Sequence, residues 1–165
     1  MNRKDTLATQ VLILESARCA AMSLEENKHL VRRQFELLSA GDIRGAADLW
    51  ALESFNHGRK IDPNGIFRVY ESLRSLHEEH TLHEMIAEGE WVAVRTTCRG
   101  VHAATPESPV NEGIFTGLNP TGRTYSVQHI HMFRISQGKI VEHWANRDDL
   151  GAARQVGLEL RRSMD

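Results

Sequence analysis

The sequence predicts an α+β domain in which helices come first and a meander of antiparallel strands follows. Two observations support this class. Apolar residues recur at helical spacing up to about Leu76, and their spacing changes to two from Thr81 onward. Helices followed by hairpin-connected strands are typical of α+β domains, whereas a doubly wound sheet would alternate the two kinds of element.

The length and the charge of the chain exclude several classes of partner. A chain of 165 residues can bury enough apolar surface to fold without disulfides or metals. The formal net charge is −2 and no basic stripe with interleaved aromatic residues is present, so we expect no binding to nucleic acid or to an anionic membrane. Cys19 and Cys98 do not form a disulfide framework, and no apolar run suits a secretory signal or a membrane span, so we expect a cytoplasmic protein.

The chain divides into three parts. Residues 1–22 are rich in helix formers and are predicted to be a helical extension. Residues 23–158 form the predicted domain, and the charged residues 159–165 form a tail that we expect to fray.

Local capping signals predict where three helices begin. Ser23 followed three residues later by Glu26 forms a capping box at the first helix. Asp42 caps a second, short helix that carries Trp50, and the pair Asp62-Pro63 starts the third helix. All three helices are expected to precede the first strand.

Alternating apolar and polar residues predict the strands of the second half. A hairpin is expected over residues 81–99 and a loop over residues 103–113. A short strand is then expected at residues 114–118, followed by two long strands at residues 124–135 and 139–147.

The turn of the last hairpin determines which side chains of its two strands face each other. Ser136, Gln137 and Gly138 suit a three-residue loop closed by glycine in the left-handed region, since a two-residue loop would force Gln137 to a positive φ. This loop length pairs Ile135 with Lys139 and thereby sets the register of the whole hairpin.

Counting back along both strands brings three histidines to one face. The register sets His131 opposite His143 and His129 opposite Ala145, with Phe133 on the same face. Imidazoles in a largely apolar wall are typical of a ligand pocket, and partial burial would keep the rings neutral near pH 7. For any single histidine, a half-buried side chain with a structural hydrogen bond explains the position equally well.

The other polar side chains are given smaller roles. His57 and His102 lie at loop or strand ends and could complete the site, although each alone is better explained as a surface residue. Glu142 faces away and Asp148 caps the last helix, so no acid is expected in the pocket. The remaining histidines are expected to face solvent: His29, His77, His80 and His83.

The opposite face of the last hairpin is apolar. It carries Ile130, Met132 and Trp144. Such a face could form a dimer interface or could pack beneath another element of the same chain, and both explanations stay open.

Four segments of the C-terminal half carry a likeness to a known family. They are Gly117–Arg123, His129–Ile135, Gly138–Trp144 and Asp149–Gly157, with shorter matches at Ser39–Asp42, Asn56–His57 and Ala87–Gly89. In order and spacing these segments resemble the SnoaL-like polyketide cyclases and the related ester cyclases. The likeness covers about residues 24–157.

The resemblance implies a cone-shaped α+β barrel, also found in ketosteroid isomerase. In that fold a curved antiparallel sheet wraps around a pocket, and the N-terminal helices pack on its concave side. The resemblance also implies a homodimer that acts on a small-molecule substrate in polyketide metabolism. Its cyclases close a ring by an intramolecular aldol reaction without metal or cofactor, and a pocket aspartate serves as general acid and base.

The resemblance also assigns site residues. His131 and His143 match histidines of the family's pocket strands, and Asn56 matches a pocket asparagine. His129 stands in place of a polar residue such as glutamine, and Ala145 stands in place of the catalytic aspartate. The expected catalytic residues are therefore His129, His131 and His143, and the expected substrate-binding residues are Asn56, His57, Trp50, Phe133 and Ala145.

Because alanine cannot transfer a proton, the family's mechanism cannot operate unchanged, and three explanations stay open. His129 could act as a relocated base while His131 and His143 orient the substrate carbonyl. The chain could instead be a small-molecule-binding domain that lost catalysis. The three histidines could also hold zinc with an open fourth position, as in a hydrolase or lyase, although the resemblance implies no metal and no other cofactor.

Overall fold

A computed structural model describes residues 23–107 and 113–158 of the chain. The helical extension predicted for residues 1–22 and the tail predicted for residues 159–165 lie outside the described residues. Among the helices in the described ranges, none is both long and apolar enough to cross a membrane.

The described residues form four α-helices and six strands, and all six strands belong to one sheet. In chain order the elements are α1 (Leu24–Ser39), α2 (Ile43–Asp48), β1 (Trp50–Asn56), β2 (Arg59–Ile61), α3 (Pro63–Leu73), a 3₁₀ turn (Arg74–Leu76), β3 (Glu79–Glu88), β4 (Trp91–Val101), β5 (Thr124–Ser136), β6 (Lys139–Arg147) and α4 (Asp149–Gln155). The predicted α+β class and the curved sheet with N-terminal helices are confirmed.

The strands lie in the order β2-β1-β6-β5-β4-β3. Neighbours run antiparallel except that β1 lies parallel to β6. The sheet is therefore mixed rather than wholly antiparallel as predicted. Parallel neighbours need a long crossover connection, and the chain from α3 through β5 forms that connection.

Two strands precede α3, where the sequence predicted only helices. Trp50 opens β1 instead of closing the second helix, and it pairs with Ile140. Only Trp50 and Ser54 of β1 are buried, so the strand lacks the apolar alternation by which strands are recognised. His57 and Gly58 join β1 to β2 with φ of 51° and 74°, which is typical of a two-residue hairpin turn.

Residues 114–118 form turns rather than the predicted short strand. The N–H of Thr116 donates to the carbonyl of Gly113 at 3.1 Å, and the N–H of Leu118 donates to the carbonyl of Phe115 at 3.2 Å. Bonds that span three residues close turns. Phe115 is buried among these turns, so its apolar side chain anchors the segment without a sheet partner.

The helix starts predicted from local capping signals are confirmed. The Ser23 hydroxyl accepts a hydrogen bond from the Glu26 N–H at 3.2 Å, and the Glu26 carboxylate accepts one from the Ser23 N–H at 2.7 Å. The carboxylates of Asp42 and Asp62 accept hydrogen bonds from N–H groups three residues later, at 2.8 and 2.7 Å. Each cap satisfies a backbone donor that has no partner inside its helix.

The last hairpin has a two-residue loop, so the register predicted from a three-residue loop is wrong. Ser136 pairs with Lys139, and the loop residues Gln137 and Gly138 have φ of 50° and 73°. A type I′ turn needs positive φ at both central residues. Gln137 adopts this conformation despite its side chain, because the turn matches the right-handed twist of the strands.

A β-bulge at Val141 keeps the predicted side chains on the predicted face. Ile135 pairs with Ile140, and Phe133 pairs with His143. Between these two pairs β5 advances by two residues, whereas β6 advances by three. The strand β6 therefore contains one extra residue. Pairings beyond the bulge are shifted by two positions relative to the prediction, and a shift of two exchanges no faces.

The main hydrophobic core lies between the helices and the concave face of the sheet. Val31 and Phe35 of α1 and Ile66 of α3 pack against the sheet. The other buried members of this core are Ala47, Trp50, Val92, Val94, Phe133, Ile135 and Ile140. Four residues of this core, Phe35, Trp50, Ile66 and Phe133, also line a pocket on the concave face.

Replacing Gln137 by glycine is expected to raise the free energy of unfolding by about 0.5–1 kcal/mol, because glycine adopts a positive φ without a side-chain penalty. Urea unfolding followed by tryptophan fluorescence measures the change. Gln137→Ala is the matched control, because alanine keeps the penalty. An equal gain in both variants would contradict the strain assigned to this turn.

Candidate active site

A pocket of about 290 Å³ opens between α1, α3 and the concave face of the sheet. Apolar side chains such as Phe35 and Ile66 form the wall on the helix side. The histidines that line the pocket are His57, His77, His80, His129, His131 and His143. Its volume lies near the lower end of the range for small-molecule sites, and an apolar wall with a few polar groups is typical of such sites.

The three histidines predicted to be catalytic all line this pocket. His129 and His131 come from β5 and His143 comes from β6, and Phe133 and Ala145 lie on the same wall. His129 and His131 are only 6% and 9% exposed. A molecule bound in the pocket would therefore meet these imidazoles away from bulk water.

Ala145 lies opposite His131 and not opposite His129 as predicted. In the observed register His131 pairs with Ala145, and His129 pairs with Arg147. The difference arises from the two-residue loop and the bulge, which shift the pairing by two positions. The imidazole beside Ala145 is therefore that of His131.

A chain of hydrogen bonds determines the tautomer of His131. Asn56 Oδ1 lies 2.8 Å from His143 Nδ1, and His143 Nε2 lies 3.0 Å from His131 Nδ1. An amide oxygen can only accept, so His143 Nδ1 carries its proton and His143 Nε2 accepts from the N–H of His131. The lone pair of His131 is left on Nε2, a buried atom without a hydrogen-bond partner among the described residues.

Burial keeps these imidazoles neutral. Desolvation lowers the pKa of His129 to about 4 and the pKa of His143 to about 3. It also lowers the pKa of His131 well below its usual range, and the guanidinium of Arg147 acts in the same direction on all three rings. These rings therefore keep a lone pair that can accept a proton near pH 7, but the lowered pKa makes each of them a weaker base than an exposed histidine.

His80 belongs to this cluster, so the prediction that it faces solvent is wrong. Its ring centroid lies 5.4 Å from Phe35, 5.8 Å from His129 and 5.9 Å from His131. Its Nδ1 is buried and has no hydrogen-bond partner within the described ranges. Leu82, on the same strand, is half-buried, and alternation back from Leu82 would have placed His80 on the inner face.

A carboxylate also reaches the pocket, where none was expected. Glu78 accepts a hydrogen bond from the Tyr125 hydroxyl at 2.7 Å, and its Oε2 lies 3.9 Å from His80 Nε2. Burial opposes ionisation of Glu78, yet the nearby His80 ring and the hydrogen bond from Tyr125 hold its pKa below the usual value. Glu78 lies between a turn and a strand, where no periodic pattern could have indicated its orientation.

Two further side chains of the wall have defined partners. Arg147 lines the pocket and pairs with Asp149 at 3.2 Å. Strand alternation from His143 puts Arg147 on the inner face and could have identified it from the sequence. Trp50, a predicted substrate-binding residue, also lines the pocket, and its Nε1 donates to Gln34 Oε1 at 3.0 Å.

Only one of the two histidines offered as additions to the site lines the pocket. The His57 ring lies in the wall, 5.4 Å from the His143 ring. His102 is buried and stacks on Phe115 at 4.5 Å, so it belongs neither to the surface nor to this pocket. His29, His77 and His83 are exposed as predicted, although His77 reaches the pocket edge.

The curved sheet, the helices on its concave side and the enclosed polar wall define an α+β barrel built around a small-molecule pocket. Residues 28–156 match the SnoaL-like polyketide cyclase family. The chain belongs to this family, and the resemblance predicted from the sequence is confirmed.

Relatives within the family are named for ring-closing reactions. The chain is 32% identical over 138 residues to the aklanonic acid methyl ester cyclase DnrD of Streptomyces peucetius, a match that covers 78% of this chain and 88% of that protein. It is 30% identical over 107 residues to the nogalonic acid methyl ester cyclase of Streptomyces nogalater, which covers 63% and 73% of the two chains.

Solved structures share the fold at lower identity. The fold matches wild-type IdmH from Streptomyces antibioticus with a TM-score of 0.65 at 24% identity, over 80% of this chain and 99% of IdmH. It matches a SnoaL-like polyketide cyclase from Agrobacterium tumefaciens with a TM-score of 0.66 at 15% identity, over 82% and 100% of the two chains.

The free energy of unfolding is expected to fall as the pH drops from about 6.5 towards 4. Histidines of the unfolded chain take up protons near a pKa of about 6.5, whereas His129 and His143 in the folded protein take them up only near about 4 and about 3. The unfolded state therefore binds more protons in this window, which costs up to about 1.4 kcal/mol per pH unit for each buried ring. Urea unfolding near pH 7 and near pH 5 measures the loss.

His143→Gln should make this pH dependence shallower, because it removes one buried titrating ring. His29→Gln is the matched control, because His29 is exposed on α1. Equal pH dependence in the wild type and in His143→Gln would contradict the assignment.

Proposed function

We propose that this chain closes a ring in a small, polyketide-like carbonyl compound by acid/base chemistry. The proposal is supported by the family and by its relatives, which are named as methyl ester cyclases. It is also supported by a pocket in which neutral imidazoles face an apolar wall. The proposal is built on the three pocket histidines that the sequence predicted, His129, His131 and His143, which take different roles.

One observation carries the proposal: the lone pair on His131 Nε2 is buried and has no hydrogen-bond partner among the described residues. His131 pairs with Ala145, the position that the resemblance assigns to the catalytic aspartate of the cyclases. We therefore assign the role of base to His131 rather than to His129. His129 lies opposite Arg147.

The proposed step moves one proton and forms one bond. His131 Nε2 takes a proton from the carbon next to a substrate carbonyl, and the electron pair left on that carbon delocalises onto the carbonyl oxygen as an enolate. The enolate carbon attacks a second carbonyl of the same molecule and forms the ring bond. The alkoxide produced by this attack takes the proton back from the His131 imidazolium, so no oxidant or reductant is required.

The hydrogen-bond chain behind His131 stabilises the charged intermediate. When His131 is protonated, its bond to His143 Nε2 at 3.0 Å becomes charge-assisted. The Asn56 oxygen keeps His143 in the tautomer that can accept this bond. Asn56 and His143 are thus positioning residues in this proposal, and Asn56 acts through His143 rather than by touching the substrate.

The remaining wall residues are assigned to substrate binding. Phe133 and Trp50 offer aromatic surface, His57 lies at the entrance, and the small side chain of Ala145 leaves space beside the base. We assign the enolate oxygen to the neighbourhood of Arg147, whose positive charge already lowers the pKa of the three histidines.

Loss of the family's aspartate favours a second candidate, a binding domain without catalysis. The two candidates differ in one outcome. A binding domain would hold the polyketide methyl esters named for the relatives and release them unchanged, whereas a cyclase would convert them. Incubation of the wild-type protein with these esters, followed by chromatography and mass spectrometry, separates the candidates.

His131→Gln is expected to lower kcat at least about 100-fold, because general acid–base catalysis typically contributes a factor of about 10²–10⁴. Asn56→Ala should lower kcat with little change in KM, and Asn56→Asp should retain more activity because a carboxylate still accepts from His143 Nδ1. Product formation over time measures the rates.

His83→Gln is the matched control for these variants, because His83 is exposed and bonds to Thr97. It should turn over at the wild-type rate. Full activity of a folded His131→Gln protein would remove His131 as the base. Equal activity of Asn56→Ala and Asn56→Asp would remove the positioning role.

We also propose that the chain works in the cytoplasm as a homodimer joined through the outer face of the sheet. Ile130, Met132 and Trp144 are 50%, 43% and 44% exposed on that face, and Met132 pairs with Trp144 across the last hairpin. Contiguous exposed apolar side chains are typical of interfaces.

Met132→Glu is expected to convert the dimer to a monomer, because it places a charge in the centre of this face. Light scattering after size-exclusion chromatography measures the mass. Leu52→Glu is the control, because Leu52 is exposed on β1 rather than on the last hairpin. A monomeric wild-type protein would end this proposal.

A further inference from the structure

Three buried nitrogen atoms of the pocket lack a hydrogen-bond partner among the described residues: His80 Nδ1, His129 Nδ1 and His131 Nε2. One ring nitrogen from each of these histidines lies within 4.8 Å of one from each of the others. A buried polar atom without a partner is unfavourable. The closeness of these three rings, together with the missing partners, is the observation from which we infer a shared ligand.

The tautomers of two of these rings direct a lone pair into the shared space. At His131 the hydrogen bonds from Asn56 through His143 leave the lone pair on Nε2. At His80 the carboxylate of Glu78, 3.9 Å from Nε2, favours the proton on that nitrogen and leaves the lone pair on Nδ1. Two lone pairs that face the same space can be satisfied by a metal ion or by a hydrogen-bond donor between them.

We propose that His80, His129 and His131 bind one divalent first-row metal ion, with Zn²⁺ as the expected occupant. Three imidazoles with a fourth position open to the pocket form the donor set of an open zinc site. Imidazole ligands favour zinc and cobalt over magnesium and calcium, which require oxygen ligands. Two ligand nitrogens on a tetrahedral zinc lie about 3.4 Å apart, so small ring rotations complete the geometry.

The groups next to the second ring nitrogen of His80 and of His131 are of the kind found at known metal sites. A metal-binding histidine usually donates its other N–H to a carboxylate or carbonyl. Glu78 stands in that place behind His80. His143 stands behind His131, with the Asn56 carbonyl behind it in turn.

These ligands differ from the zinc ligands suggested by the sequence analysis, which were His129, His131 and His143. Both ring nitrogens of His143 are used in hydrogen bonds, to Asn56 and to His131. His143 is therefore not available as a ligand, and His80 from β3 takes its place.

Charges of both signs surround the three rings. The carboxylate oxygen Oε2 of Glu78 lies 3.9 Å from His80 Nε2 and favours a cation there. Arg147 also lines the pocket, and its guanidinium pairs with Asp149 at 3.2 Å. Cys98 forms a second possible ligand group with Glu78 and His80, but it does not line the pocket and is not counted as a ligand.

Metal binding and the proposed cyclisation would use the same lone pair on His131. A lone pair that binds zinc cannot accept a proton from the substrate. If the proposed function holds, bound zinc should therefore inhibit ring closure. Metal binding itself can be tested without any substrate, and its failure would leave the cyclase proposal untouched.

The test is titration of the tag-free, chelator-treated protein with Co²⁺ alone and then with Zn²⁺. We expect Co²⁺ to saturate one site per chain with the visible absorption bands of tetrahedral cobalt, and Zn²⁺ to abolish these bands by displacement. No thiolate-to-metal charge-transfer band should appear. Absence of saturable binding, or a thiolate band, would overturn the proposed site.

Variants locate the metal. His80→Gln should weaken Co²⁺ binding at least tenfold, and Glu78→Gln should weaken it by about 10–100-fold through the ring it orients. His83→Gln, an exposed histidine on the same strand β3, is the matched control and should bind as the wild type does. Unchanged binding in folded His80→Gln would overturn the proposal.

A measurement on the wild-type protein avoids the folding of variants. Nitrogen NMR of the imidazoles should show Zn²⁺-dependent shifts at one nitrogen each of His80, His129 and His131. The ring of His143 should keep its hydrogen-bonded tautomer. Shifts confined to exposed histidines such as His29 and His83 would show adventitious binding and overturn the site.

Discussion

The neutral, tautomer-defined state of a row of buried imidazoles is the constraint on which the rest of the site depends. A buried polar group is tolerated when it is hydrogen-bonded, and a buried charge requires a partner of opposite sign. His143 meets the first condition through Asn56 and His131. The same bonds leave the next ring in the row with an unused lone pair, and that lone pair is the reactive feature of the pocket.

Elements distant in the sequence must meet to build this row. Asn56, whose side-chain oxygen accepts the hydrogen bond, comes from β1. His129 and His131 come from β5, and His143, which lies between His131 and Asn56, comes from β6. The parallel pairing of β1 with β6 brings Asn56 beside His143. From the helix side, Phe35 contacts the rings of His80 and His131 at 5.4 and 5.5 Å, so the core packing also holds the cluster in place.

The elements whose ends depend on local chemistry were predictable. Capping residues act within three positions of the bonds they make, so Ser23, Asp42 and Asp62 indicate helix starts without reference to the rest of the chain. The face of the last hairpin was also predictable, because side chains alternate along any strand. Its register was not, because Gln137 tolerates a positive φ and Val141 forms a bulge. Both depend on how the two strands twist together.

The sequence by itself determined the α+β class, the family, and the convergence of His129, His131 and His143 on one face, because these follow from periodicity and from motif order. Only the tertiary structure decided that Asn56 defines the tautomer of His143, and that Glu78 and His80 join the pocket. These contacts link residues separated by dozens of positions. No local pattern records such contacts, because they form only when packing brings the end of β1 and the start of β3 against the same face.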